Sequence, residues 1–140
     1  MNHESKCAHL HGHNYVVYLE AETLYDCRQE LDSVGRIVDF SVIKDIYDPW
    51  IQRHWDHGFI LFAEDSEAIN LLTGFDTGKQ QQKLFLLDSN PTAENLASFL
   101  MHDDYLKSRL EGYNVALKSV TVHETENCSA IVVRDHVQSQ

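Results

Sequence analysis

The chain has 140 residues, the size of one domain, and 43% of them are hydrophobic, which is enough for a core and too many for a disordered segment. A net charge of −11 without clustered Lys and Arg excludes a surface that grips nucleic acid or an anionic membrane by neutralising phosphate, although single basic residues can still meet an anionic small molecule. Three widely spaced cysteines form no disulfide framework, and neither a long uncharged apolar run nor a signal-like start is present, so a single cytoplasmic domain over 1–140 is expected.

The first chemistry in the chain is Cys7-Ala8-His9-Leu10-His11-Gly12-His13-Asn14-Tyr15. Along an extended strand residues i and i+2 share a face, so His11 and His13 can reach one ion together, with Gly12 removing bulk between them. Neutral imidazole is the commonest protein ligand for zinc. Cys7 is far enough away to be either a third ligand or a separate reactive thiol. Taken alone, a solvent-facing histidine-rich turn accounts for the stretch equally well.

Asn14 to Ala21 alternates as a strand with apolar residues on both faces, which predicts packing on two sides. Residues 22–36 read as a polar connection. Asp39 or Ser41 then caps a helix whose stripe is Val42, Ile43, Ile46, Trp50 and Ile51, and Pro49 should kink it or begin a second short helix. After His54-Trp55-Asp56-His57-Gly58, Phe59 to Phe62 is a short extended run. Asp65 to Leu72 fits a short helix, Gly74 and Gly78 break the stretch after it, and Lys83 to Leu87 fits a strand. Thr92 after Pro91 starts a long amphipathic helix carrying Leu96, Phe99, Leu100, Leu106 and Leu110. Asn114 to His123 and Cys128 to Arg134 alternate as two strands joined by a turn at 124–127. The order predicts an α+β fold, an antiparallel sheet with helices on one face.

Two further candidates stand outside the histidine stretch. In Asp56-His57 the carboxylate can raise the basicity of the imidazole and suit it to proton transfer near neutral pH; a helix end with a polar cap is the plain alternative. Glu124, at a strand end, can grip a guanidine-like edge through two parallel hydrogen bonds; alone it would read as a solvated turn residue. Asn90-Pro91-Thr92-Ala93-Glu94-Asn95 is first of all helix-start chemistry, with a ligand contact from Thr92 secondary. Cys27, Cys128 and the remaining histidines carry no supporting spacing.

Together, Cys7-x-x-x-His11-Gly12-His13-Asn14-Tyr15, Asp56-His57, Asn90-Pro91-Thr92-Ala93-Glu94-Asn95 and Glu124-Thr125 resemble, in order and spacing, the 6-pyruvoyl-tetrahydropterin synthase superfamily. The four-residue step from Cys7 to His11 is most similar to its 6-carboxy-tetrahydropterin synthase branch, the pyruvoyl-forming branch having a longer step. The resemblance implies a T-fold, a four-stranded antiparallel sheet with two helices between its second and third strands. It implies homo-oligomers, often hexamers, whose sheets join into barrels with active sites between subunits. It also implies a zinc-dependent carbon–carbon lyase that converts 7,8-dihydroneopterin triphosphate to 6-carboxy-5,6,7,8-tetrahydropterin, releasing acetaldehyde and triphosphate, in queuosine or other 7-deazapurine biosynthesis. His11 and His13 would be zinc ligands, Cys7 the catalytic thiol, Asp56 and His57 the proton-transfer pair, and Glu124, with Thr92 second to it, the substrate contacts.

The family's third zinc histidine lies upstream of the cysteine on a first strand that has no counterpart after Met1. His3 is too close to His11 to be expected in its place, so Met1 is expected to be an internal methionine of a longer protein. The alternatives are the pyruvoyl-forming synthase and a catalytically silent subunit that binds pterin or only assembles.

Overall fold

A computed structural model of the chain describes residues 11–24, 31–75 and 81–135. Alternation carries Val16–Thr23 into strand β1, whose Val17, Leu19 and Ala21 pack on the core. Its other face is not covered as the two-sided alternation predicts: Val16 and Tyr18 are 47% and 59% exposed.

Asp39 caps helix α1, Phe40–His54, by accepting a hydrogen bond from the Ser41 amide at 2.8 Å. Pro49 lies inside one continuous helix and does not begin a second. It removes one amide donor, at a cost of about 3 kcal/mol in an isolated helix, but Ile43, Ile46 and Tyr47 before it and Trp55 after it are buried, and that burial offsets the loss.

Two apolar runs, β2 (Phe59–Phe62) and β3 (Leu84–Leu87), pair in parallel from Phe59↔Leu84 to Phe62↔Leu87, with α2 (Ser66–Thr73) in the crossover between them. Their extended character follows from their composition, whereas their partnership does not.

The long helix expected from Thr92 onward is two helices, α3 (Ala93–His102) and α4 (Asp104–Glu111). Asp103 leaves the helical region at ψ 122°, and its carboxylate accepts from the Leu106 amide at 2.9 Å to cap α4. The break is invisible to periodicity because Leu96, Leu100, Leu106 and Leu110 all remain at or below 1% exposure.

β4 (Val115–Thr125) runs antiparallel to β1 and to β5 (Cys128–Val133), giving a sheet ordered β1–β4–β5. Helices α3 and α4 lie against this sheet, and α1 packs on α4. The core between them holds Tyr47, Leu96, Leu100, Val120 and Val122. The α+β architecture with helices on one face is as expected, with four helices among the described residues and a separate parallel ribbon. No described helix is long and apolar enough to cross a membrane.

Candidate functional site

The head of β1 and the end of β4 meet because the register pairs Val16 with His123. That register brings Glu124 toward the residues preceding β1. Between His123, which pairs with Ser129, and Thr125, which pairs with Cys128, Glu124 is one residue too many for the partner strand. Such a bulge re-aims the side chain it carries, and Glu124 Oε1 lies 3.4 Å from His13 Nε2. His13 Nε2 in turn lies 2.8 Å from His11 Nε2, with the two rings edge to face.

Tyr15 belongs to the same group. Its ring centroid is 5.7 Å from that of His13. Burial, and secondarily the charge of Glu124, raise its phenol above the ordinary tyrosine value. Sequence reasoning did not single it out; its position two residues after His13 is the signal that could have found it.

Two neutral imidazoles whose Nε2 atoms meet at 2.8 Å can share only one proton, so a cation accepting both lone pairs suits the pair. A tetrahedral zinc holds two ligand nitrogens roughly 3.3 Å apart, so binding asks the rings to part by about half an ångström. His11 and His13 therefore fit as part of a zinc set. Among the described residues no three His, Cys, Asp or Glu side chains converge to complete one. Cys7 lies outside the described residues.

Asp56 and His57 occupy another place, the exit from α1. The amides of Trp55 and Asp56 both donate to the Ile51 carbonyl, at 2.8 and 2.9 Å, and end the helix. His57 then takes a left-handed backbone at φ 53°, which is uncommon for a non-glycine residue. Asp56 Oδ2 lies 2.8 Å from His57 Nδ1. A carboxylate at Nδ1 holds a proton there and leaves Nε2 for exchange with a substrate. The His57 side chain is 91% exposed. The open surface beside the pair is formed by Asp48, Ile51, Gln52 and Asp56.

Thr92 stands apart from both groups as the cap of α3, its hydroxyl accepting from the Asn95 amide at 3.3 Å. The Asn95 side-chain amide donates to the Asn90 carbonyl at 2.8 Å. The helix-start reading of this motif holds. The structure thus brings His11, His13 and Glu124 together, sets Asp56 against His57, and gives Thr92 a capping role.

A sequence profile described as 6-pyruvoyl tetrahydropterin synthase matches residues 1–135. A Rickettsia felis protein named 6-carboxy-5,6,7,8-tetrahydropterin synthase is 34% identical over 131 residues, spanning 91% of this chain and 86% of its own length. An Aquifex aeolicus protein of the same name is 37% identical over 109 residues, spanning 76% of this chain and 60% of its own. Among solved structures, an uncharacterized protein from Wolinella succinogenes superposes with a TM-score of 0.74 at 25% identity, covering 92% of this chain and 81% of that one. The 6-pyruvoyl tetrahydropterin synthase of Plasmodium vivax superposes with a TM-score of 0.58 at 18% identity, covering 90% and 82%, a likeness of fold.

Proposed function

Because the chain belongs to the 6-pyruvoyl tetrahydropterin synthase family and is an enzyme of the pterin-synthase type, we propose that it converts 7,8-dihydroneopterin triphosphate to 6-carboxy-5,6,7,8-tetrahydropterin, releasing acetaldehyde and triphosphate. The pathway we assign to it is queuosine biosynthesis. The observation that carries the reading is the convergence of His11, His13 and the bulged Glu124 at one end of the sheet. Four relatives that carry the 6-carboxy name, each matched over 86% of its own length, favour the carboxy-forming branch.

His11 and His13 would hold the zinc ion, which when bound supplies a Lewis acid that polarises the substrate side-chain oxygens. Glu124 accepts two parallel hydrogen bonds from the amino-pyrimidine edge of the pterin and fixes the ring in place, so that proximity lowers the barrier. Cys7, as a thiolate, takes a proton from the side chain of the oriented substrate. His57, held at Nδ1 by Asp56, delivers or removes the next proton through Nε2. Thr92 offers its hydroxyl proton to substrate while its oxygen caps α3. The exposed Asp56–His57 pair suits a site closed by a neighbouring subunit, and we assign the working form to a homo-oligomer, a hexamer.

The test is incubation of the purified chain with dihydroneopterin triphosphate, followed by mass identification of the pterin and elemental analysis of the protein. The expected outcome is 6-carboxy-tetrahydropterin, acetaldehyde and near-stoichiometric zinc. A 6-pyruvoyl product would move the chain to the sister reaction. A second reading, a silent subunit, draws on the two-nitrogen donor set among the described residues; a folded protein with neither zinc nor product would establish it.

A further inference from the structure

We propose that Lys83 is a positioning residue for the Asp56–His57 pair, locking the turn that aims His57 by bonding both ends of it. The proposal rests on the reading that His57 moves protons. Because the Asp56 amide bonds the Ile51 carbonyl, the Gln52 carbonyl in the last turn of α1 loses its usual i+4 donor. Lys83 Nζ supplies one at 2.9 Å, and the positive charge there complements the negative end of the helix.

The same ammonium donates to the Asp56 carbonyl, which belongs to the peptide joining Asp56 to His57. At the far side of the turn, the Phe59 amide donates to the Lys83 carbonyl at 2.9 Å, where β2 begins to pair with β3. One residue therefore clamps the segment from Asp56 to Phe59 by its side chain at one end and its backbone at the other.

Between the two ends, Gly58 runs over the lysine stem. A Cβ on Gly58 would lie 2.9 Å from Lys83 Cδ, 3.2 Å from Cγ and 3.3 Å from the Lys83 carbonyl oxygen. His57 is thus flanked by two residues that both touch Lys83. That over-determination is what a left-handed imidazole-bearing residue needs in order to persist, since alone it would relax toward the ordinary region. An ammonium on a long stem suits the task because its three donors serve two carbonyls of different orientation.

The decisive variants are Lys83→Met, which keeps the stem and removes the donor, Lys83→Arg, which restores donors, and Gly58→Ala, which pushes the stem aside while keeping the charge. Lys83→Met and Gly58→Ala should lower kcat on dihydroneopterin triphosphate by about ten- to a hundredfold while KM moves less than about threefold, because Glu124 is untouched. Lys83→Arg should recover most of the loss, and zinc content should match that of the parent. Amide hydrogen exchange at Gly58 and Phe59 should quicken by about tenfold in Lys83→Met. An active parent with an unchanged kcat in Lys83→Met overturns the positioning role and leaves the proposed reaction standing. Parallel losses in kcat and KM without rescue by Lys83→Arg also overturn it, as a merely structural role. If the parent has no turnover, the proposed reaction falls and the positioning role falls with it, while faster exchange in Lys83→Met would show the lysine to be a structural clamp only.

Discussion

At the scale of single residues, His11 and His13 illustrate how far spacing reaches. Their i, i+2 separation places them on one side of an extended chain, and they do meet at 2.8 Å. That Glu124 joins them depends on a bulge more than a hundred residues later in the chain, and a bulge leaves no mark in local alternation. Tyr47 was also beyond reach, because the apolar stripe of α1 accounts for the helix without it. It is 1% exposed, and its hydroxyl donates to the Leu100 carbonyl at 3.4 Å. Burial, and then the charge of Asp103, push its phenol well above the ordinary value of 10.0. The folded state therefore holds the phenol proton to higher pH than the unfolded state does. Stability contributed by this group is fully present below the unfolded value, about pH 10, and is lost as pH rises from there toward the folded value. Urea unfolding from pH 8 to 11 should show a midpoint that falls above pH 10 in the parent. It should fall less in Tyr47→Phe, whose stability at pH 7 should lie within about 1 kcal/mol of the parent because the bond it loses is long.

At the scale of elements, apolar periodicity identified the buried faces of the helices, but neither the exposed outer face of β1 nor where each element stops. Leu96 and Leu106 read as one helix because both belong to the same buried surface. The break at Asp103 is a competition between a helical backbone and a side chain that prefers to cap the next turn. Asp103→Ala should cost about 1 kcal/mol, within a range of roughly 0.5–2, by orphaning the Leu106 amide. Chemical denaturation measures it, and a stability equal to that of the parent would show that the cap contributes nothing. The parallel pairing of β2 with β3 was illegible for a different reason. Phe59–Phe62 and Leu84–Leu87 are apolar on every residue, so each run reads as extended without stating its partner or direction.

At the scale of the whole molecule, the sheet has one face under the helices and one face that no helix covers among the described residues. On that second face Tyr18, Thr121 and Ile131 stand in one row across β1, β4 and β5. Tyr18 is 59% exposed, Ile131 61% and Val133 55%. An apolar row of this kind is what a homo-oligomer covers. Sedimentation of the parent should give a multiple of 16.1 kDa, and Ile131→Lys should shift it toward the single chain while far-ultraviolet circular dichroism is retained. An unchanged mass in Ile131→Lys would remove this face from the assembly. The sequence by itself determined the α+β class, a helix start at Asp39 or Ser41 and another at Thr92, two strands joined by a turn and the identity of the chemical groups, because these depend on local periodicity, capping and residue type; the turn is shorter than the expected 124–127, since β4 runs on through Thr125. Tertiary structure alone decided that Glu124 faces His13, that β2 pairs with β3 and that Lys83 reaches back to the Asp56 carbonyl. Those contacts join distant segments, and their geometry is set by packing and register rather than by any neighbouring residue.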